Sequence, residues 1–404
     1  MRTEVFKFGG SSVGSLEKIR HVAELIKEQK NNIDNLVVVV SAMQGKTDEL
    51  LDMAKFFTET PQERELDLLL SSGERISSSL LAIALDSLEC RAISMTGRQI
   101  GMKTDNTHTR ARIKSIRTDK IWQNLKKGNV VVVAGFQGID EYGDVTTLGR
   151  GGSDTSAVAI AAALEADRCV IYTDVAGVYT ADPRIVKNAS ILSEISYDEM
   201  MELASLGAKV LQIRSVEMAK RFNVDVVVKS TFEPNLPGTV VSKEGDMENK
   251  VVSGVTGDKN QARITLLGVA DKPGVAASIF KKLADGKIVV DMIVQNISDK
   301  GLTDISFTVP ADEIERAKQI ISPLAEELNI SEIKADKDVA KVSVVGVGMR
   351  NHYGVASDMF NVLAGEGINI IAITTSEIKI SCLIEERYFE LALRALHNKF
   401  MGEK

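Results

Sequence analysis

The sequence is poor in cysteine and histidine, which limits the metal and redox chemistry that can be expected. Three cysteines and four histidines are spread over 404 residues without a Cys-x-x-Cys pair or a His cluster. This spacing does not predict a structural metal. Cys90, Cys169 and Cys382 are odd in number, far apart and set in apolar surroundings. They are expected to be buried free thiols in a reducing cytoplasm.

Membrane and nucleic-acid partners are not expected either. The apolar runs at 37–40 and 130–134 are short, whereas a membrane helix needs about 20 residues. Charged residues at positions 2, 4 and 7 interrupt any apolar segment at the start, so no signal peptide is predicted. The net charge is −7 and no long basic run occurs. We therefore expect a soluble, cytoplasmic protein.

The sequence does contain short apolar runs that alternate with helical patterns over roughly the first 230 residues. Such alternation predicts a parallel or mixed sheet between two layers of helices. Glycine-containing loops follow the apolar runs at 9–14, 41–48, 135–138 and 174–184. Because ligands bind where the strands of such sheets end, one composite site is predicted.

The first of these loops reads Lys7-Phe8-Gly9-Gly10-Ser11-Ser12, between an apolar run and a helical pattern. A strand, a glycine turn and a helix start can hold phosphate through backbone N–H groups. Lys7 could place an ammonium on a phosphoryl group. The segment matches neither the G-x-x-x-x-G-K-[ST] nor the G-x-G-x-x-G motif. A tight turn with an exposed lysine is the alternative interpretation.

The turn at 146–156 is more informative because it joins adjacent glycines to one arginine and one aspartate. An alanine-rich helix is predicted after it, over 157–166. Arg150 offers a planar donor pair suited to a carboxylate or phosphate. Glu74, near another helix start, could be a capping carboxylate. His108 has no neighbouring cluster in the sequence, and we interpret it as structural.

An internal repeat occupies the last 150 residues, after a polar linker at 244–250. At an offset of 80, residues 274–293 and 354–373 are identical at 8 of 20 positions. Each unit is expected to be βαββαβ. The first is predicted to have strands at 262–270, 288–297 and 303–309 and helices at 274–284 and 311–328. The second is predicted to have strands at 340–347, 368–375 and 378–384 and helices at 354–364 and 386–400.

Together these motifs resemble the amino-acid kinase family, and specifically its aspartate kinases. The resemblance is carried by KFGGSS at 7–12, SAM at 41–43 with Thr47, SSGE at 71–74, TTLGRGGSD at 146–154, TDVAGVYTADPR at 173–184 and GAKVL at 207–211. The repeats resemble ACT domains, small ferredoxin-like modules that bind amino acids and pair side by side. The resemblance implies an α/β amino-acid kinase fold, with a mostly parallel sheet, followed by two βαββαβ ACT domains. The implied domains are 1–245, 246–335 and 336–404, and Val251–Thr256 could add a strand to the second ACT unit.

The activity implied by the resemblance is transfer of the ATP γ-phosphoryl group to the β-carboxylate of L-aspartate. The product is 4-phospho-L-aspartate, in the first step of lysine, threonine, methionine and diaminopimelate biosynthesis. Mg²⁺ is expected to arrive with ATP, since no all-protein metal site is visible. A carboxylate has a pKa of about 4, so the nucleophile needs no general base. Feedback by lysine, threonine or both is implied at the ACT domains.

The same resemblance implies roles for individual residues. Catalysis is assigned to Lys7 and Asp154. Aspartate binding is assigned to Thr47, Glu74, Arg150, Gly151, Gly152 and Ser153. Nucleotide binding is assigned to Lys7, Phe8, Gly9, Gly10, Ser11, Thr173, Asp174, Tyr179, Asp182, Arg184 and Lys209. Effector binding is assigned to Asp271, Gly274, Asp291, Gln295, Asn369 and Ile370.

Several alternatives stay open at this stage. The chain could be a glutamate or acetylglutamate kinase, although the SSGE and GRGGSD motifs with two ACT units favour aspartate. It could also be a catalytically inactive amino-acid sensor. The repeats could serve only in self-association, and Val289 stands where the second repeat has Asn369. An internal start at Met247 could yield a separate small subunit.

Overall fold

The computed structural model describes residues 1–206, 210–243, 251–297 and 301–402. These residues form two compact units. The first contains Met1–Tyr179 and Ile191–Met247, and the second contains Thr180–Ser190 and Glu248–Lys404. Lys209, Met247 and the linker predicted at 244–250 lie outside the described residues.

The first unit alternates strands and helices along the chain. In order, its elements are β1 (Thr3–Phe8), α1 (Leu16–Lys30), β2 (Asn35–Val40), α2 (Lys46–Lys55), α3 (Glu63–Leu70), α4 (Ser72–Ser87), β3 (Ala92–Met95), β4 (Lys103–Thr104), β5 (Ile113–Ser115), α5 (Asp119–Leu125), β6 (Val130–Ala134), β7 (Gln137–Ile139), β8 (Val145–Thr147), α6 (Gly152–Leu164), β9 (Arg168–Thr173), β10 (Glu194–Ser196), α7 (Tyr197–Ser205), α8 (Ile213–Phe222), β11 (Val226–Ser230) and β12 (Thr239–Ser242).

Within the described residues, eight of these strands form one sheet in the order β10-β12-β11-β9-β1-β2-β6-β3. Neighbouring strands are parallel except β11 and β12. The central strands β1, β2 and β6 are buried along their whole length. Their valine-rich runs are typical of strands covered by helices on both faces. The predicted fold class is confirmed.

The strand order reverses at β1, which has β2 on one side and β9 on the other. The chain runs from β1 to β2 on one side and from β9 to β10 on the other, and at such a point a crevice opens beyond the strand ends. The loop at 9–14 lies at this crevice. It leads into α1, which is capped by Ser15, whose side chain accepts a hydrogen bond from the backbone N–H of Lys18.

Helix α6 begins five residues before the predicted start at 157. Gly151 precedes it in the left-handed conformation, with φ +71°, which suits glycine because it has no Cβ. All but two residues of Gly152–Leu164 are buried. The polar first turn of α6 is therefore buried, and it brings the carboxylate of Asp154 into the interior.

A smaller sheet, in the order β5-β4-β7-β8, lies alongside in the same unit. Strands β7 and β8 form an antiparallel hairpin. Its turn falls at 140–144. The buried carboxylate of Asp140 accepts hydrogen bonds from the N–H groups of Tyr142 and Asp144, both at 2.9 Å.

The second unit contains the repeat. Its elements are β13 (Gly254–Ala270), α9 (Val275–Asp285), β14 (Ile293–Ile297), β15 (Leu302–Val309), α10 (Ile314–Ile321), α11 (Leu324–Glu327), β16 (Glu332–Val345), α12 (Val355–Gly365), β17 (Ala372–Thr375), β18 (Lys379–Glu385) and α13 (Phe389–Met401). The described strands form an antiparallel sheet in the order β14-β15-β13-β16-β18-β17. Gly274 and Gly354, 80 residues apart, both cap their helices in the left-handed conformation, with φ +96° and +101°.

Some predicted boundaries in this unit are wrong. The strands expected from 288 and 368 begin at Ile293 and Ala372, because the preceding residues close the helices instead. The N–H of Ile288 bonds to the carbonyl of Leu283, and that of Ile368 to Leu363. The helix predicted at 311–328 is interrupted at Pro323, which has no N–H to donate.

Two long strands span both repeats. Residues 254–258 of β13 pair with 345–341 of β16, and residues 263–267 pair with 336–332. The first pairing belongs to the second repeat, and the other pairing to the first repeat. The segment Thr180–Ser190 contributes Ala181 and Val186 to the core around the second repeat.

Among the described residues, Glu63–Ser87 is the one helical stretch with the length and composition of a membrane span, and half of its most apolar window is buried. Core helices of soluble proteins can have the same length and composition, so this is weak evidence for a membrane segment. The three cysteines are free thiols, with Cys169 and Cys382 buried and Cys90 half-buried. Burial raises the pKa of each thiol above its ordinary value.

Candidate active site

The candidate site lies where the parallel strands of the first unit end. Backbone bonds join these ends directly. The N–H of Ser41 bonds to the carbonyl of Phe8 at 3.1 Å, and that of Gly135 to Val40 at 3.0 Å. The N–H of Gly9 reaches the carbonyl of Tyr172 at 3.4 Å. The loops predicted to form one composite site are thus neighbours.

Lys7 and Asp154 form an ion pair at the centre of these loops. Lys7 Nζ lies 2.6 Å from Asp154 Oδ1, and both side chains are nearly buried. A buried charge is costly unless it is paired. The attraction between the two opposite charges therefore holds the ammonium of Lys7 beside Asp154.

Glycines keep the space around this ammonium open. A Cβ at Gly9 would lie 3.3 Å from Lys7 Nζ, and one at Gly10 would lie 3.0 Å from the carbonyl of Ala42. A side chain at either position would crowd the ammonium or the adjoining loop. The backbone donors and the lysine can therefore approach the same anion. Phe8, by contrast, points into the core and stacks on Tyr172 at 4.7 Å, which leaves only its backbone for ligand contact.

Arg150 lies at the same end of α6 as Asp154, the partner of Lys7. It stands two residues before α6, while Asp154 is in the first turn of that helix. The side chain of Arg150 is exposed and has no hydrogen-bond or ion-pair partner within the described residues. Its carbonyl accepts a hydrogen bond from Gln212 Nε2 at 2.8 Å. A cation on a fixed backbone, with a free guanidinium, is suited to an incoming carboxylate.

Glu74 is the buried acid of the site. It lies in the first turn of α4, is 3% exposed, and accepts the N–H of Ala42 on Oε1 at 3.0 Å. Its other oxygen, Oε2, is buried without a hydrogen-bond partner. Burial raises the pKa of Glu74 to about 7, against the lowering effect of the backbone hydrogen bonds. An ammonium group from a ligand would satisfy the free oxygen.

We expect Glu74→Gln to stabilise the ligand-free protein at high pH but not at low pH. A pKa raised above its ordinary value of 4.5 costs stability as pH rises through about 7, because the fold disfavours the charged form. Glutamine keeps the acceptor for Ala42 and carries no charge. Relative to wild type, the variant should gain about 2–3 kcal/mol at pH 8 and almost nothing at pH 4.

Chemical denaturation at the two pH values would test this expectation. Glu49→Gln, at an exposed carboxylate on α2, is the matched control and should show no such difference. An equal effect of Glu74→Gln at both pH values would contradict the raised pKa.

The other predicted residues of the first unit include two at helix starts and two at a strand end. Ser153 is buried, and a Cβ at Gly135 would meet it at 3.0 Å. Thr47 is half-buried in the first turn of α2. The hydroxyl of Thr173 donates to Asp174 at 3.1 Å beyond the end of β9.

Three residues beside the glycine loop, Lys18, Thr231 and Phe232, were not predicted from the sequence. The hydroxyls of Ser12 and Thr231 lie 2.7 Å apart. Lys18 donates to the carbonyl of Ser11 at 3.0 Å and lies over the ring of Phe232. Ser12 belongs to a recognised motif, but Thr231 and Phe232 follow a strand 219 or more residues later, and no local pattern indicated the contact.

Asp182 and Arg184 behave differently from the other predicted nucleotide residues. They bond to each other, with Arg184 Nη2 2.7 Å from Asp182 Oδ2, and both belong to the second unit. Tyr179 is the last residue of the first unit before this segment. Their role at the nucleotide therefore stays a prediction.

The residues predicted to bind an effector lie in the second unit. Asp291 pairs with the buried Lys341, and Gln295 and Asn369 are exposed. Met292 packs in one cluster with Ile371. Asp291 and Asn369 are thus within two residues of the same cluster, although they belong to different repeats. Asp271 and Gly274 lie at the start of α9.

Comparisons with known proteins agree with this organisation. The sequence pattern of the amino acid kinase family matches residues 2–230, and that of the ACT domain matches 264–323 and 342–400. The chain is 52% identical to the aspartate kinase of Pseudomonas putida, over 98% of this chain and 97% of that protein. It is 51% identical to the aspartokinase of Helicobacter pylori, over 97% and 98%.

Solved structures give the same result. The structure of Escherichia coli aspartokinase III in complex with aspartate and ADP, in the R-state, is similar with a TM-score of 0.83 and 25% identity, covering 100% of both chains. The same enzyme in complex with lysine and aspartate, in the T-state, gives a TM-score of 0.79 and 26% identity, covering 99% of both chains.

Proposed function

The chain belongs to the amino acid kinase family, and within it to the aspartate kinases, and on that premise we propose that it phosphorylates the β-carboxylate of L-aspartate with ATP. The products would be 4-phospho-L-aspartate and ADP. The observation that carries the proposal is the Lys7–Asp154 pair beside Gly9, on the same helix end as Arg150.

The roles that we propose for the residues of the site follow from their charges. Lys7 and the N–H groups of Gly9 and Gly10 would stabilise the transferring phosphoryl group. Arg150 would bind the α-carboxylate of aspartate, and Glu74 would receive its ammonium on the free Oε2. The substrate β-carboxylate would then be left to face the nucleotide. Thr47, Gly151, Gly152 and Ser153 would complete the aspartate site.

No general base is needed in this scheme. The β-carboxylate is already an anion at neutral pH, because its pKa is about 4. Catalysis then consists of holding two anions in line and stabilising the charge of a loose transition state. A site with lysine, arginine and backbone donors, and no histidine at its centre, fits this requirement.

The residues present also fit a nucleotide with its cation. The open glycine loop at Gly9 and Gly10 leaves room for phosphate oxygens. Asp154 and Asp174 are the carboxylates that would lie nearest a bound Mg²⁺. That ion would neutralise phosphate charge during transfer. Thr173, Tyr179, Asp182 and Arg184 are proposed for the rest of the nucleotide, and so is Lys209.

The test is a substrate comparison with the purified full chain. With ATP and Mg²⁺, we expect ADP release with L-aspartate and none above background with L-glutamate or N-acetyl-L-glutamate. Hydroxylamine should trap the acyl phosphate as a hydroxamate. Release of ADP with glutamate or acetylglutamate instead would favour another amino-acid kinase. Absence of turnover with all three would favour the inactive sensor.

We further propose that lysine, threonine or both regulate the enzyme through the ACT units. E. coli aspartokinase III has been solved with lysine, and the repeats here place Asp291 and Asn369 by one cluster. We expect Asn369→Ala to raise the effector concentration for half-inhibition about tenfold, since it removes an amide that can bond to a charged ligand.

Inhibition curves with L-threonine and L-lysine, singly and together, would measure this shift. Val289→Ala is the matched control, because Val289 holds the equivalent place in the first repeat and has no polar group. An unchanged curve for Asn369→Ala would remove the second repeat from effector binding.

The remaining expectations stay proposals of the same kind. Self-association would pass through the ACT units, and the enzyme would act in the cytoplasm at the first step of lysine, threonine, methionine and diaminopimelate synthesis. A small subunit starting at Met247 would appear as a second, shorter polypeptide when the gene is expressed. A single band on a denaturing gel would exclude it.

A further inference from the structure

A buried carboxylate outside the proposed substrate contacts ties two parts of the active site together. Asp67, on α3, has no exposed surface. It accepts a hydrogen bond from His108 Nδ1 at 2.7 Å, and the N–H of Thr109 lies 3.1 Å from both of its oxygens. The hydroxyl of Thr147 donates to it as well. Because a carboxylate only accepts, His108 Nδ1 must carry a proton.

The backbone held by Asp67 is strained. Thr109 has φ +63°, a conformation that β-branched residues rarely adopt. Such outliers persist only where surrounding contacts enforce them, and they concentrate at functional sites. Here the enforcing contact is the pair of oxygens of Asp67 on the N–H of Thr109. Removing the carboxylate should release the loop toward an ordinary conformation.

That loop lies against the chain segment that carries Arg150. The N–H of Ala111 bonds to the carbonyl of Thr147 at 2.9 Å. Arg214 bridges the carbonyls of Leu148 and Ala111. A Cβ at Gly149 would come within 3.0 Å of the carbonyl of Thr109. Thr109, the strained residue, therefore packs against the turn that carries Arg150.

Asp67 also belongs to the structure that carries Glu74. Helices α3 and α4 are separated by Ser71 alone, so the two acids share one nearly continuous helical stretch. Arg150 stands on a different segment, three residues beyond Thr147. The bonds from Asp67 to Thr147 and Thr109 thus connect the helix of the proposed ammonium acceptor to the segment of the proposed carboxylate clamp.

From this arrangement we propose that Asp67, supported by His108, is a positioning residue that sets the placement of Arg150 relative to Glu74. The inference rests on the proposed aspartate site. It assigns Asp67 no contact with substrate: the effect is carried through Thr109 and Thr147. Its loss should therefore weaken aspartate binding and leave ATP binding nearly unchanged.

Asp67→Asn is the direct test in the full-length enzyme. An asparagine places one N–H₂ group against the N–H and O–H donors that Asp67 now accepts. We expect the KM for aspartate to rise about tenfold, because the turn that carries Arg150 loses the support of Thr109 and Thr147 and its contact with the substrate carboxylate weakens. The KM for ATP should stay within about twofold, because the contacts of Asp67 lie on the aspartate side.

Asp140→Asn is the matched control. Asp140 is another buried acid of the same unit, and it accepts two backbone N–H groups at the opposite end of β8. This variant should lose stability without a selective change in the KM for aspartate. If Asp67→Asn changes neither KM, or changes both equally as a general loss of structure would, the inference is overturned.

A second variant separates positioning from stability. In the Asp67→Asn background, Thr109→Gly should bring the KM for aspartate part of the way back, because glycine adopts φ +63° without strain. A KM that does not recover would contradict the role assigned to Thr109.

If Asp67→Asn does not fold, Thr147→Val removes one of the same bonds and should raise the KM for aspartate severalfold. A wild-type enzyme that fails to turn over aspartate would reject the proposed function, whereas an active wild type with insensitive variants would reject this inference alone.

Discussion

Lys7→Ala should abolish turnover, with kcat falling by at least about 10³-fold, because the variant loses the ammonium that Asp154 holds among the glycine loops. Lys18 also lies beside the glycine loop, but it bonds to the carbonyl of Ser11 and lies over the ring of Phe232. Steady-state rates with saturating aspartate and ATP, read by ADP release, would measure the loss. A near-normal kcat would contradict the role of Lys7.

The same substitution has a structural consequence that the experiment must separate. Removing Lys7 leaves Asp154 buried without its cation, and breaking a buried pair costs about 3–5 kcal/mol. The double variant Lys7→Met, Asp154→Asn removes both charges and keeps most of the volume. It should fold at least as well as Lys7→Ala and be equally inactive.

A matched control is available on the surface of the same unit. Lys220 pairs with Asp198 at 2.6 Å, and both side chains are about half exposed. Lys220→Ala should change stability by less than about 1 kcal/mol. Its kcat should equal that of wild type, because the pair lies on α7 and α8, away from the strand ends.

Arg150→Ala should raise the KM for aspartate about 10- to 100-fold, because a charged, two-point contact to the α-carboxylate is lost. The protein itself should not be destabilised, since the guanidinium is exposed and has no partner among the described residues. Initial rates over a wide range of aspartate concentrations, at saturating ATP, would separate KM from kcat.

Two further variants sharpen this result. Arg150→Lys should recover only part of the affinity, because an ammonium cannot reproduce the planar donor pair. Arg64→Ala removes another exposed arginine of the unit, paired with Asp144 at 2.7 Å, and should leave the KM unchanged. An unaltered aspartate KM in Arg150→Ala would reject the carboxylate clamp.

Much of the catalytic unit could be predicted because its signals are local. Strand, glycine turn and helix start adjoin one another in the sequence at 5–19, and the structure has them as β1, the loop and α1. The convergence of the loops followed from parallel strands, whose carboxyl ends share one edge of the sheet. Motif resemblance supplied the family, which the comparisons confirm.

What could not be predicted depends on contacts between distant residues. Asp67 and His108 are 41 positions apart, and neither shows a pattern that distinguishes it from surface residues. The free oxygen of Glu74 likewise follows from burial by other elements. In the repeats, the strands expected at 288 and 368 begin later because left-handed residues at 287 and 367 close the helices. The spacing of apolar residues does not show where a left-handed residue ends a helix.

The segment Thr180–Ser190 carries a consequence for any attempt to divide this chain. Because it leaves the first unit and returns to it, the backbone crosses between the units at 179, at 190 and at 247. A fragment ending at 245 would display Ala181 and Val186 without the core that buries them. A regulatory polypeptide beginning at Met247 would lack Ala181 and Val186 from its core. Dividing the chain at this point therefore removes a contact that the intact chain has, so the full-length chain is the appropriate material for these experiments.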